Sequence, residues 1–271
     1  MNTQNYEQTV AIFIDILGSK EITGFEEKHK IHKIFHESIL ESQKRQETKD
    51  KDHVIYTRKL FSFSDCAFFF YRYKPEVQNN RKDINKLLQV ALFNSAHITL
   101  ELLNEGYILR GGITCGDVYF DDMSFFGPAV DRAYEIESKE AITPRILIDS
   151  KFGADLFKHE TKIYSEVFGE SNPNYHFMPK RSFIPTIAMK DGNDYILNTL
   201  YILEMENSIA LGKTIITHNN LTNNLLIKID SQIPNYPWNH KVRPKLEWMK
   251  EYLKTSKVSL VEPSQSSAYL V

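Results

Sequence analysis

Two aspartates carry the most chemical information in this chain: Asp15, near the end of the apolar run TVAIFIDI, and Asp65, in FSFSDCAFFF. A carboxylate at the end of a buried strand is costly unless something pairs with it or it holds a cation. Two of them, separated by the length of one helix, suggest two strands that deliver both to one place. Such a pair suits two hard divalent cations roughly 3.5–4 Å apart, which take oxygen ligands and hold phosphates. Taken singly, each aspartate is better read as a strand-end residue capping a turn or helix. The pair, joined to a glycine-rich strand further along, favours cations.

After Asp15 the chain must turn through Ile16-Leu17-Gly18-Ser19. Backbone N–H groups of such a turn cradle phosphate oxygens, and a backbone carbonyl there reaches a metal. The third element is LRGGITCGDVYFDDMSFFGPAVDRAYEIES, residues 109–138. Arg110 precedes two glycines inside a strand, where glycine marks close approach of a backbone or a ligand. Gly127-Pro128 opens a helix with an anion-friendly N-terminus. Arg110 fits as well a strand residue with an ion-pair partner.

These residues need elements to hold them. Residues 9–16 read as a buried strand, and 26–46 as an amphipathic helix with Ile31, Ile34, Phe35 and Ile39 on one face. A polar connection at 47–52 leads to strands 54–63 and 66–73, a hairpin meeting at Ser64-Asp65. A helix from about 80 to 104 stops at Gly106, a strand fills 107–120, a helix follows Gly127-Pro128, and 144–149 is a further strand. The order β-α-β-β-α-β-α-β predicts an α+β fold, a ferredoxin-like βαββαβ core whose antiparallel sheet is covered by helices. The later sequence shows a strand, a DGND turn and another strand. A helix near THNNLTNNLLIKID, a charged C-terminal helix and a frayed tail complete it. The chain is read as a single domain, 1–271, with its core at about 9–150 and a C-terminal α/β elaboration at 151–271.

With 42% hydrophobic and 25% charged residues among 271, the chain has material for a full core. A net charge of −2 removes any global electrostatic case for nucleic acid or an anionic membrane, so an anion site must be local. Cys66 and Cys115 lie in apolar strand sequence without zinc spacing, as small core residues of a reduced protein. No signal peptide or membrane-length apolar run is present, and a cytoplasmic location is expected. His29, His32 and His36 share a helical face and read as part of its exposed charged surface rather than a metal site.

IFIDILGS, FSD, RGGITCG and FFGPAVDRAYEIE together resemble the catalytic core of class III nucleotide cyclases, in order and with fitting spacing over residues 9–150. The segment DGNDYILNTL and the helix containing Trp248 resemble the anti-phage branch of that family, the Pycsar pyrimidine cyclases. The resemblance implies that Asp15, Asp65 and the carbonyl of Ile16 bind two Mg²⁺ or Mn²⁺ ions. It implies conversion of UTP or CTP to the 3′,5′-cyclic monophosphate and pyrophosphate, as a second messenger in antiviral defence. It also implies a homodimer with active sites at its interface. Leu17, Gly18 and Ser19 would meet the nucleotide.

Departures from the family pattern sharpen the expectation. The adenine-reading lysine falls at Phe61 and its acidic partner at Ser124, an aromatic and a hydroxyl able to stack on and bond a base. Tyr56 is a further base-pocket candidate. The ribose-orienting asparagine falls at Asp131 and the transition-state arginine at Glu135, so either the cation comes from elsewhere, with Arg110 and Arg132 the candidates, or catalysis is weak. Glu135 and Glu137 also fit helix-surface or core-pairing roles. Three alternatives stay open: a purine cyclase, a non-catalytic nucleotide sensor, and a palm-like enzyme that joins nucleotides.

Overall fold

The computed structural model of the protein describes residues 5–48, 54–177, 180–211 and 214–262. Positions 49–52 of the polar connection, the tail from 263 and the side chain of Ile39 lie outside what it describes.

Strand β1 (Glu7–Ile16) organises the rest. Val10, Ile12, Ile14 and Ile16 project to one face, and Ala11, Phe13 and Asp15 to the other. All but Asp15 are buried. A strand apolar on both faces needs neighbours on both edges and cover above and below. β1 finds them in β3 (Cys66–Tyr73) and β4 (Leu109–Phe120), both antiparallel to it. β2 (Tyr56–Phe63) pairs outside β3.

Helix α1 (Phe25–Thr48) and helix α2 (Ile84–Asn104) pack Ile31, Phe35, Leu88 and Leu92 onto the even-numbered face of β1. α2 starts at Ile84 rather than near 80. Asp83 accepts from the N–H groups of Asn85 and Lys86 and fixes the first turn there.

After β4 come the short strand β5 (Phe125–Phe126) and helix α3 (Pro128–Glu135), extended by a π-helical turn at Ile136–Glu140. α3 crosses the odd-numbered face of β1, packing Ala129, Val130 and Ala133 on Ala11, Phe13 and Phe70. It lies so close that a Cβ at Gly112 would stand 2.2 Å from the carbonyl oxygen of Ala133. The chain returns in β6 (Ile146–Ile148), which pairs with β4 in parallel. The sheet is therefore mixed, where an antiparallel one was expected. A helical crossover between neighbouring strands brings the second in along the first.

Helix α4 (Ser150–Phe168), strand β7 (Lys180–Arg181) and the hairpin β8 (Ala188–Asp191) and β9 (Asp194–Leu197) follow. Then come α5 (Tyr201–Glu206), the hairpin β10 (Ser208–Leu211) and β11 (Thr214–Thr217), α6 (His218–Gln232), α7 (Arg243–Thr255) and β12 (Val261–Glu262). β9 joins β6, giving the strand path β2-β3-β1-β4-β6-β9-β8. The result is an α+β fold with a mixed sheet covered by helices. Among the described residues, no helix is long and apolar enough to cross a membrane.

Candidate functional site

Register brings the sequence-predicted residues together. Asp15 pairs with Cys66 on β3 and with Arg110 on β4. Asp65 immediately precedes Cys66 in the two-residue turn joining β2 and β3, where Ser64 takes the left-handed φ of 56° that such turns use. The Ile16 N–H donates to the Asp65 carbonyl at 3.2 Å, tying the turn to the end of β1. Beyond it, the Leu17 N–H donates to the Ile108 carbonyl at 2.8 Å. Gly18, at φ 80°, then turns the chain into a 3₁₀ turn at Ser19–Glu21. The Ser19 hydroxyl, nearly buried, donates to the Asp65 carboxylate.

The two carboxylates titrate apart. Burial works to raise the Asp65 carboxyl, but hydrogen bonds from Ser19, Ser64 and its own backbone, with Lys28 nearby, outweigh it and hold it below the usual range. Asp15 goes the other way, to about 6, pushed by burial and then by the charges of Glu137 and Asp65; Arg110 and Lys245 oppose the rise. Divergence of this kind separates the roles of neighbouring acids.

Glu137 enters from the π-helical turn, which faces both Ile136 and Glu137 inward. It is 4% exposed and accepts from the Arg110 Nε–H at 2.6 Å. Arg110 thus stands in the site with its charge closed onto a buried partner. Helix α7 arrives beside them. Trp248 packs against the cluster of Ile136, Ala141, Leu147 and Ile196. Trp248, Met249 and Tyr252 also line a small cavity with Leu109, the neighbour of Arg110. Lys245, half-buried one turn earlier, feels the charges of Arg110, Glu137 and Asp15. Burial first, then Arg110 and Lys241, hold its ammonium below the usual range, with Glu137 and Asp15 opposing.

Other candidates land elsewhere. Arg132 is turned away from Asp15: its Nε–H donates to buried Asp149 at 3.1 Å, and its guanidinium also binds Glu140. Only the crossover into β6 brings Asp149 to that side of α3. Tyr56 lies on the opposite face of the sheet from Asp15, packed toward the α1–α2 core with Leu60. It is five residues from Phe61, and an odd step along a strand reverses the face. Phe61 does share the Asp15 side, its ring 4.7 Å from that of Phe125. Ser124 is occupied within its own turn, its N–H and hydroxyl both donating to Asp121. Asp131 is exposed on the first turn of α3. Glu135 pairs with Lys139 at 2.8 Å, a helix-surface role. His36 is not simply solvated, since its Nε2 hydrogen-bonds Ser62 at 2.8 Å and its ring lies 4.2 Å from the tilted ring of His32. Cys66, beside Asp15, is a free thiol raised to about 11 by burial and the neighbouring carboxylates.

The reading of motifs missed Lys245. Its signal was present: Lys245, Trp248, Met249 and Tyr252 fall at i, i+3, i+4 and i+7, a lysine heading an otherwise apolar stripe.

The oxygen groups this site offers a cation are the carboxylates of Asp15 and Asp65, with the Ser19 hydroxyl on Asp65. No group of three or more His, Cys, Asp or Glu side chains assembles among the described residues. Two carboxylates nevertheless suit Mg²⁺ or Mn²⁺, which retain waters and share coordination with substrate phosphates. The negative crowding that raises Asp15 is what a bound cation would relieve. No protein-family model matches the chain, and no curated protein matches it.

Proposed function

We propose that this protein is a nucleotide cyclase of the class III kind, converting UTP or CTP to its 3′,5′-cyclic monophosphate and pyrophosphate. One observation carries the reading: Asp15 and Asp65 sit at the same end of adjacent strands, each within reach of the other's charge. The framework supports it. The element order β1-α1-β2-β3-α2-β4 and the antiparallel path β2-β3-β1-β4 within the mixed sheet are what a ferredoxin-like core would require.

On this reading Asp15, Asp65 and the Ile16 carbonyl would hold two Mg²⁺ or Mn²⁺ ions. When bound, these supply Lewis-acid stabilisation of the phosphates and acidify the ribose hydroxyl. The turn at Gly18-Ser19 presents backbone to the phosphates, and Ser19 keeps Asp65 ionised and fixed. The ribose 3′-oxygen, its proton lost to solvent, attacks the α-phosphorus; the bond to the bridging oxygen breaks and pyrophosphate leaves. Phe61 and Phe125 offer the base an aromatic platform. A second copy of the chain would complete the site. Phe63, 81% exposed, and Tyr134, 54% exposed, leave apolar surface on the Asp15 side for it.

Incubation with each of the four nucleoside triphosphates and Mn²⁺, with products identified by mass, tests the proposal. A cyclic pyrimidine nucleotide is the expected product. Linear dinucleotides, or no product at all, would overturn it. The closed ion pairs of Arg110 and Arg132 favour one second reading, a nucleotide sensor, which would bind a triphosphate without turning it over.

A further inference from the structure

A triphosphate brought to this site meets few available cations. Arg110 is closed onto Glu137, Arg132 onto Asp149 and Glu140, and position 135 of α3 is a glutamate held by Lys139. Two divalent ions on two aspartates leave about two net positive charges for a polyphosphate carrying roughly four negative ones. Lys28, exposed on α1, acts only from the solvent side of Asp65. Lys20, in the turn after Ser19, is exposed as well, so the inner side of the site still lacks a cation.

Helix α7 is built to bring it. The Trp248 indole N–H donates to Asp191 at 3.3 Å, and its ring stacks on Tyr252 at 5.4 Å. The Tyr252 hydroxyl donates to Asn198 at 2.9 Å. Trp248 also packs on Ile136, the residue before Glu137. These contacts fix the helix on the β8–β9 hairpin and on the π-helical turn. They leave Lys245, a turn earlier on the same stripe, at the edge of the carboxylate group. Among the described residues no carboxylate lies within ion-pair distance of Lys245, although it is half-buried and its neighbours include Asp15 and Glu137. An ammonium kept partly desolvated and unpaired is suited to a phosphate, which lysine meets as a point charge.

We propose that Lys245 contacts the polyphosphate of the substrate, so that the C-terminal helix completes the site from within the same chain. This rests on the cyclase reading for its substrate, but it can be tested apart from turnover. Titration calorimetry with inorganic tripolyphosphate in the presence of Mn²⁺ would compare the wild type, Lys245→Met and Lys245→Arg. The methionine variant should lose at least tenfold in tripolyphosphate affinity, and arginine should restore it to within about threefold. Mn²⁺ alone should bind Lys245→Met as well as or better than the wild type, because a cation beside Asp15 is gone. A merely structural lysine would weaken both ligands together. Equal tripolyphosphate affinity in wild type and Lys245→Met, or no binding by the wild type, would overturn the assignment. Cyclic product formed by Lys245→Met with an unchanged KM would remove Lys245 and leave the cyclase. Lysine-dependent tripolyphosphate binding without cyclic product from any triphosphate would do the reverse.

Discussion

Two carboxylates among the described residues are pushed well above their ordinary range, Asp15 to about 6 and Glu160 to about 7, and their surroundings differ in kind. Burial is the leading cause for both. Glu160, on α4, is 1% exposed and ringed by neutral donors: the N–H groups of Ala188, at 2.8 Å, and Ile187, with Gln89 and Tyr164. It joins α4 to β8 and α2, and every partner is part of the framework. Asp15 is crowded instead by the charges of Glu137 and Asp65, at the open end of its strands. A raised proton affinity therefore does not by itself mark a chemical site. What separates the two regions is whether neutral groups already satisfy the carboxyl or other carboxylates leave it wanting a cation.

Substitution should break the comparison most sharply at the aspartates. Asp65→Asn and Asp15→Asn are each expected to cut turnover on the order of 10³-fold or more in the four-nucleotide assay. They should part company in stability. Asp15→Asn removes a charge that the fold disfavours, so its unfolding free energy from denaturant titration at pH 8 without metal should rise, by about 1–2 kcal/mol once solvent screening is allowed for. A destabilised Asp15→Asn would mean that the crowding at Asp15 is already compensated, and the contrast with Glu160 would fail.

Glu160 should answer in the opposite currency. Glu160→Ala leaves the buried Ala188 N–H without an acceptor and should cost about 2–3 kcal/mol in denaturant titration, with turnover per folded molecule unchanged. Glu160→Gln keeps an acceptor and should lose a pH dependence instead. Because the folded-state pKa lies above the unfolded value, the stability contributed by the protonated wild-type residue is full below about 4.5. It is lost as pH rises through about 7. The glutamine variant should lose that component and keep only the smaller one that Asp15 contributes as pH rises through about 6. A drop in turnover from either variant would place Glu160 in the chemistry.

How much of this was legible in sequence follows from how local each feature is. β1 was readable because both its faces are apolar, and a two-residue turn sets the register that puts Asp65 beside Asp15. The parallel entry of β6 was not, since it depends on α3 crossing the sheet rather than on the residues of PRILID. Tyr56 was misassigned by strand parity, which the sequence itself contains. Arg132 and Arg110 could not be ranked, because their partners Asp149 and Glu137 are set by the crossover and by a π-helical turn. Helix α4 and the β10–β11 hairpin carry no motif and went unread. Lys245 is contributed by the far end of the chain, and only tertiary packing joins it to Asp15.

The smallest expected effect tests the cause assigned to Asp15. With its carboxyl near 6, a cation binding there must displace a proton once the pH falls below that value, whereas Asp65, held low, stays ionised. Mn²⁺ affinity should therefore be level above about pH 7 and fall close to tenfold per unit between about pH 5.5 and 4.5, with about one proton released per site filled. The same experiment on Glu160→Gln should superimpose on the wild type, because that residue faces α2 and β8, away from the cation. A Mn²⁺ affinity that held constant down to pH 4.5 would show that Asp15 is not a ligand, or that Glu137 and Asp65 do not crowd it. A decline beginning near 7 and abolished by Glu160→Gln would move the cation to the framework region and reverse the assignment of the two carboxylates.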